Sequence, residues 1–196
     1  LLTRLKQVCD HPALVDPGLA GGASGKLDVF DELLEEALRG GHRVVVFSQY
    51  VEMVKLLAQT LARRRVAHLV LTGETRDRAR VIRRFNSEQH ERVLLASLLA
   101  GGVGIDLTAA SVVIHYDRWW NPAKENQATD RVHRIGQKRF VQVFKLVTRA
   151  TIEERIDALI RSKLRLMEEV VPPSDDVLHR LDRSELAALL DLDLGD

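Results

Sequence analysis

Short apolar runs alternate with longer amphipathic segments along this chain. The runs are rich in valine and leucine, as strands are, whereas the segments between them repeat apolar residues every three or four positions, as on one face of a helix. The pattern predicts strands at 44–47, 68–71, 93–96, 112–116 and 141–147, and helices at 27–39, 50–64, 76–86 and 122–134.

Strands and helices that alternate in this way predict parallel β-α units. Runs such as 44–47 are apolar at consecutive positions, which suits strands that helices cover on both faces. The expected fold is therefore an α/β three-layer sandwich with a mainly parallel central sheet, plus C-terminal helices. With 196 residues, 45% of them hydrophobic, the chain can bury one such core.

The end of the chain differs from the rest. A long amphipathic helix is predicted to begin after Thr151, and the prolines at 172–173 would stop it near an acidic tail. Residues 168–196 hold nine acidic residues and two arginines, which suits a contact with a protein partner. We divide the chain into a lobe at 1–150, of which 1–26 form an N-terminal linker segment, and a C-terminal helical extension with the acidic tail at 151–196.

The net charge of +1 conceals an uneven distribution. Residues 63–92 hold nine Lys or Arg against four Asp or Glu, and residues 118–139 hold six against two. Clustered positive charge suits a polyanion, because binding releases counterions from the phosphates, although a run such as 63–65 is also typical of the solvated end of a helix.

Several kinds of site are excluded by composition. One cysteine cannot form an internal disulfide and no Cys/His cluster has zinc spacing, so no metal site is predicted. The longest uncharged stretch, 93–105, is shorter than the roughly 18 residues that span a bilayer, so no membrane partner is predicted. The expected location is intracellular: cytoplasm or nucleoid in a bacterium, nucleus in a eukaryote. The first residue is not methionine, and we expect a piece of a longer protein.

The most specific chemistry lies in the run Gln127-Ala128-Thr129-Asp130-Arg131-Val132-His133-Arg134-Ile135-Gly136-Gln137. Arg131 and Arg134 are three residues apart and are predicted on one helix face. Two guanidiniums that point the same way can clamp a phosphate chain and stabilise a transferring phosphoryl group, the role of an arginine finger. Most arginine pairs on helices are solvated instead, so the context decides.

That context resembles motifs V and VI of superfamily-two helicases, in the form found in SWI/SNF-type chromatin-remodelling ATPases. The resemblance covers about residues 1 to 170. The matching segments are Leu5 to Pro12, Ser24 to Leu27, Val46 to Tyr50, Gly73 to Thr75 followed by Arg84 to Asn86, the strand and glycine-rich turn at 94–107, the segment 112–122, and the run 127–137.

The resemblance implies a RecA-like lobe that supplies half of an ATP site. ATP hydrolysis needs a phosphate loop and an acidic pair for Mg²⁺. Gly25-Lys26 does not fit that loop and predicts a helix start, and Asp31-Glu32 predicts surface charge. We therefore expect ATP with Mg²⁺ to be bound mainly by a first RecA-like lobe of the same polypeptide, and the isolated chain to be inactive.

By resemblance, Arg131 and Arg134 approach the triphosphate, with Arg134 at the γ-phosphate and Gln127 orienting the motif. Gly104 and Asp106 are expected near the ribose or the attacking water. The backbone of double-stranded DNA is the expected partner, gripped without base specificity at strand ends. The DNA-binding residues that the resemblance implies are Ser48, Gln49, Gly73, Thr75, Ser97, Leu98, Gly101, Gly102 and Trp120, although packing is the favoured role for Trp120.

Three functions stay open at this point. The first is the C-terminal motor lobe of a DNA-dependent ATPase that translocates on double-stranded DNA. The second is a non-catalytic module that binds DNA or protein, against which the intact Gln127, Arg131 and Arg134 argue. The third is an RNA helicase lobe, which shares the paired arginines, but the Trp-Asn-Pro and His-Arg-Ile-Gly-Gln sequences favour the remodeller-like branch.

Overall fold

The computed structural model describes residues 1–87, 90–97, 105–132 and 140–170, with side chains as far as residue 161. The helices are α1 Leu2–Asp10, α2 Gly25–Arg39, α3 Val51–Arg63, α4 Arg78–Ser87, α5 Pro122–Asp130 and α6 Ile152–Val170. The strands are β1 Val44–Ser48, β2 His68–Leu71, β3 Val93–Ser97, β4 Val112–His115 and β5 Gln142–Lys145. In the described part, no helix combines the length and the apolar character needed to cross a membrane.

The five described strands form one sheet in the order β2-β3-β1-β4-β5, and every neighbouring pair is parallel. Val44 of β1 lies opposite Val93 of β3 on one side and Val112 of β4 on the other. All five predicted strands are confirmed, although β5 is shorter than the predicted 141–147. Strand β5 lies at the edge of the sheet and is largely exposed. It pairs with one described neighbour and gains little from burial, which suits a short strand.

Helices cover both faces of this sheet. On one face, Phe30 and Leu34 of α2 and Met53 of α3 pack against alternate strand residues such as Val44. On the other face, Phe85 of α4 and Ala128 of α5 pack against the strand residues that point the opposite way. The central strands are buried at every position because both faces are covered, which confirms the predicted three-layer sandwich.

The helix starts follow local capping signals. The Ser24 hydroxyl accepts a hydrogen bond from the Leu27 N–H at 3.3 Å, so α2 begins at Gly25 and the helix start predicted there is confirmed. The Asn121 side chain accepts from the Ala123 N–H at 2.9 Å, with Pro122 in the first helical turn. Asp77 accepts from the Arg80 N–H at 2.9 Å, which moves the start of α4 to Arg78.

The predicted helix at 122–134 is wrong at its C-terminal end, because α5 ends at Asp130. The N–H groups of Arg131 and Val132 donate to carbonyls only three residues back, at 3.3 and 2.9 Å. The Arg131 carbonyl accepts from the Leu107 N–H at 3.0 Å. Arg131 therefore lies in a turn after the helix and not on its face, while Arg134 lies outside the described residues.

The first 26 residues, predicted as a linker, include a helix that packs on the lobe. Helix α1 contacts α2 and α6 and carries two fully buried charged side chains, Lys6 and Asp10. Helix α6 begins at Ile152, one residue after the predicted start of the C-terminal extension. Its Glu153 bonds to Lys26 of α2 at 2.5 Å, so the extension and the lobe are joined by a buried ion pair.

Candidate nucleotide and DNA interface

The described DNA-binding candidates lie at one edge of the sheet. Because all the strands are parallel, their carboxyl ends meet at the same edge, which is where open α/β sheets bind ligands. Ser48 and Ser97 end β1 and β3, and the turn with Gly73 and Thr75 follows β2. The segment Asp117 to Trp120 follows β4. One surface can therefore hold groups that are far apart in sequence.

Arg131 is held in place by the segment that precedes β4. The Leu107 N–H bonds to the Arg131 carbonyl at 3.0 Å, and Asp106 is the exposed residue next to Leu107. The Asp106 carboxylate accepts from the Thr108 N–H at 3.2 Å, and its carbonyl accepts from the Asn86 amide at 2.9 Å. The structure thus brings together two of the predicted nucleotide-binding positions. Gln127 is exposed on α5, one turn before Arg131.

The Arg131 guanidinium is without a counter-ion in the described part of the chain. No described carboxylate pairs with it, and its Nε is buried with no described hydrogen-bond partner. A half-buried guanidinium with an unused donor suits an anion such as a phosphate. Gly104 and Arg134, the other predicted nucleotide-binding residues, lie outside the described residues.

Ser48 does not have the free hydroxyl that a phosphate contact needs. Its side chain is 1% exposed and its hydroxyl donates to the Asp117 carboxylate. The backbone N–H of Gln49 donates to the same carboxylate at 3.1 Å, and the Gln49 amide donates to the Arg118 carbonyl at 3.3 Å. The predicted role of the Ser48 side chain is corrected: it holds the end of β1 in place, while the half-buried Gln49 stays at the edge.

Asp117 is a positioning residue for which the sequence suggested no role. Its side chain is fully buried, and burial raises its pKa, although the Lys6 ammonium and the Ser48 hydroxyl oppose that shift. Burial also lowers the pKa of Lys6, which donates to the Arg118 carbonyl at 2.5 Å. The sequence did contain a signal for this role. An aspartate directly after a buried strand is expected to be buried too, and a buried charge needs hydrogen-bond or ion-pair partners.

Ser48→Ala tests the corrected role. We expect a loss of about 1–3 kcal/mol in the free energy of unfolding, because a buried carboxylate loses a donor. The salt dependence of DNA binding should not change. Urea unfolding and DNA titration measure the two effects. Ser87→Ala is the control, since its exposed hydroxyl donates to the Arg83 carbonyl within α4, at 2.7 Å. A changed salt dependence with unchanged stability would restore Ser48 as a phosphate contact.

The turn after β2 presents a solvent-exposed glycine. The Thr75 N–H bonds to the Thr72 carbonyl at 3.2 Å, and the Thr75 hydroxyl accepts from the Thr72 N–H at 2.9 Å. A Cβ at Gly73 would meet nothing within 4 Å, so packing within the lobe does not require glycine there. This open position leaves room for a ligand.

At the end of β3, Ser97 is buried, and its hydroxyl has no described partner. Leu98, Gly101 and Gly102 lie outside the described residues.

Trp120 packs against the C-terminal helix. It is half-buried beside Ile156 and Ile160 of α6, and the Lys6 ammonium lies 5.1 Å from the centroid of its ring. Packing between α1 and α6 leaves little of the ring for base stacking. The geometry therefore favours the packing role expected for this residue over a DNA contact.

Arg118 joins the same region to α5. Its guanidinium bonds to Glu125 at 3.0 Å and to Asp157 of α6, and Lys145 of β5 bonds to Glu125 at 2.7 Å. Burial alone would raise the pKa of Glu125, but Arg118 and Lys145 outweigh it, and the pKa is lowered. The helix that leads to Arg131 is thereby anchored at its first turn.

A second buried network centres on Lys26. Its ammonium bonds to Asp10 at 2.8 Å and to Glu153 at 2.5 Å. Burial alone would lower the pKa of Lys26, but the two carboxylates outweigh it, and the pKa is raised.

The Asp31 side chain, predicted as surface charge, is only 10% exposed and pairs with Arg64, so that prediction is corrected.

His115 is a buried base beneath this edge. It stacks on Phe47 with ring centroids 5.6 Å apart, and its Nε2 lies 3.0 Å from the Thr129 hydroxyl. Burial lowers its pKa from 6.5 to about 4, although Glu125 opposes the shift. The folded chain thus holds a neutral imidazole near pH 7.

We expect His115 to cost the folded chain stability in acid. Between its unfolded pKa and about 4, the unfolded chain binds a proton that the folded chain excludes, so the stability present above that window is lost as pH falls through it. The loss should be on the order of 3 kcal/mol. His115→Gln should lack it, and urea unfolding at several pH values measures the difference. The raised pKa values of Asp10 and Asp117 act in the opposite direction in both proteins. Parallel pH profiles would contradict this prediction.

Comparison with known proteins agrees with this geometry. Residues 25–136 match the model of the helicase conserved C-terminal domain. The chain is 47% identical to the chromatin-remodelling ATPase INO80 of Aspergillus oryzae over 135 residues, 68% of this chain and 9% of that protein.

Two solved structures from Sulfolobus solfataricus have the same fold. The SWI2/SNF2 ATPase C-terminal domain is 35% identical with a TM-score of 0.73, over 98% of this chain and 80% of that one. The SWI2/SNF2 ATPase core in complex with dsDNA is 37% identical with a TM-score of 0.76, over 98% of this chain and 41% of that one.

Fold and site together define the C-terminal, RecA-like lobe of a superfamily-two ATPase, which confirms the predicted resemblance. The chain belongs to the helicase conserved C-terminal domain family. It spans about a fifth or less of the length of the first curated relatives that it matches. The activity of the whole protein is therefore a matter for proposal.

Proposed function

We propose that this chain is the second motor lobe of a DNA-dependent ATPase that moves along double-stranded DNA. The observation that carries the proposal is the Arg131 guanidinium, whose Nε is buried and which no described carboxylate neutralises. A lobe that only holds a protein in place would gain nothing from a half-buried cation that no described carboxylate pairs with, whereas an ATP site completed across a cleft needs a cation.

On the nucleotide side, Arg131 and Arg134 would hold the charge that develops on the transferring phosphoryl group, with Gln127 orienting the turn. Gly104 and Asp106 would lie near the ribose or the attacking water. The described residues contain no cluster of three or more metal-binding side chains. Mg²⁺ and the triphosphate would accordingly be held mainly by a first lobe of the same polypeptide, where the ion would neutralise phosphate charge.

On the DNA side, Gln49, Gly73 and Thr75 would contact the sugar-phosphate backbone, together with Ser97 and the residues Leu98, Gly101 and Gly102. Contacts of this kind carry no base code, as a motor that steps along any sequence requires. The proposal is supported by the Sulfolobus core, which was solved with dsDNA and is 37% identical to this chain. Such an enzyme would act in the cytoplasm or nucleoid of a bacterium or in the nucleus of a eukaryote, and the acidic tail would bind a protein partner.

Displacement of a third strand tests movement. The full-length polypeptide should release a triplex-forming oligonucleotide from a duplex only when ATP is hydrolysed, because a translocating motor strips what lies in its path. The matched control is a nucleotide analogue that binds but is not hydrolysed. Release that does not depend on ATP hydrolysis would favour a non-catalytic binding module, and activity on RNA duplexes alone would favour an RNA helicase.

A further inference from the structure

Helix α4 and the bend before it carry a dense set of arginines. Five arginines lie between residues 76 and 84, and Asp77 is the one carboxylate among them. Neighbouring like charges on a helix destabilise it, so the arrangement has a cost that packing within the lobe does not explain.

Several of these charged groups have partners. Arg84 pairs with Glu91, and the Arg78 guanidinium donates to the Gly73 carbonyl at 3.4 Å. The Asp77 carboxylate caps α4 through the Arg80 N–H at 2.9 Å. The apolar side of the helix is also in use, because Phe85 is fully buried against the sheet.

Arg76, Arg80 and Arg83 remain, and we call them the arginine face. All three are exposed, and no carboxylate in the described part of the chain pairs with them. Arg80 and Arg83 are three residues apart on α4 and therefore lie on the same side of the helix. The face therefore exposes to solvent three guanidiniums that no described carboxylate neutralises.

The location of the arginine face identifies its partner. The turn with Gly73 and Thr75 leads directly into Arg76, so the face begins at the edge that we assign to DNA. Arg80 and Arg83 are about 4.5 Å apart along the helix axis, and successive phosphates of one DNA strand advance by roughly 3.4 Å along the DNA axis, so both side chains can reach neighbouring phosphates. We propose that the arginine face binds duplex-DNA phosphates beyond those reached by the Gly73–Thr75 turn. This inference rests on the proposed function and lengthens the contact of this lobe with DNA.

Titration of the 196-residue chain with a fluorescent duplex, at several salt concentrations, tests the inference. In Arg80→Gln/Arg83→Gln the slope of log affinity against log salt should become shallower by about 1.8, since each lost phosphate contact removes about 0.9. Affinity at 0.1 M salt should fall roughly tenfold to a hundredfold. Circular dichroism should show an intact fold, because both side chains are exposed.

The matched control is Arg39→Gln/Arg63→Gln, which removes the same charge from exposed positions on α2 and α3. It should keep the wild-type slope. An equal loss in both variants, which would reflect net charge alone, would overturn the inference. Wild-type affinity in Arg80→Gln/Arg83→Gln would also overturn it and leave an acidic protein segment as the partner. If the wild-type chain binds no duplex at all, the DNA side of the proposed function fails together with this inference.

Discussion

Arg131→Ala, and separately Arg134→Ala, in the full-length polypeptide is expected to reduce ATP turnover by about a thousandfold while nucleotide affinity changes little. An arginine finger acts on charge that develops in the transition state, so its loss raises the activation barrier, here by about 4 kcal/mol, more than it weakens the ground state. Steady-state hydrolysis and equilibrium binding of a fluorescent nucleotide give the two numbers.

Two variants sharpen this test. Arg131→Lys should also lose most of the turnover, because an ammonium cannot reproduce the planar fork of a guanidinium. Arg63→Ala is the control, since Arg63 lies at the end of α3, bonds to Thr60 at 3.2 Å, and α3 packs on the opposite face of the sheet from α5. Turnover at the wild-type rate in Arg131→Ala would remove Arg131 from the proposed site.

Lys26→Met is expected to cost the 196-residue chain about 3–5 kcal/mol of unfolding free energy, a large part of the stability of a domain. Lys26 and its two partners, Asp10 and Glu153, have side chains no more than 3% exposed. Without the ammonium, two carboxylates stay buried without their counter-ion, and the contacts that join α1, α2 and α6 weaken. Urea unfolding measures the loss.

Arg39→Ala is the matched control for this prediction. It breaks an ion pair with Glu35 in which both side chains are 72% exposed, and such pairs contribute little. Lys26→Met/Glu153→Gln should recover part of the lost unfolding free energy, since it removes one of the two buried carboxylates that lack a counter-ion. Equal destabilisation by Lys26→Met and Arg39→Ala would show that the buried network does not hold the helices together.

The fold could be predicted because its signals are local. Consecutive apolar residues such as Val44 to Phe47 indicate a strand buried on both faces, and Ser24 and Asn121 mark helix starts through bonds that span two or three residues. The end of α5 could not be predicted in the same way. The helix ends next to Arg131, whose carbonyl accepts a hydrogen bond from the N–H of Leu107, a residue far away in sequence.

The site could be predicted only in part for a similar reason. Arg131 is identified by its motif, and no described carboxylate pairs with it. Whether a polar side chain is free for a ligand depends on distant partners that no local pattern reveals. The hydroxyl of Ser48 is used by Asp117, 69 residues away, and Lys26 bonds to a carboxylate 127 residues away.

ATP turnover by the full-length polypeptide, with duplex DNA, single-stranded DNA or RNA added and the isolated 196-residue chain assayed alongside, tests the central claim most directly. We predict strong stimulation by duplex DNA and no turnover by the isolated chain, because we propose that the phosphate loop and Mg²⁺ site belong to the first lobe. Turnover that ignores DNA, or that only RNA stimulates, would contradict the claim.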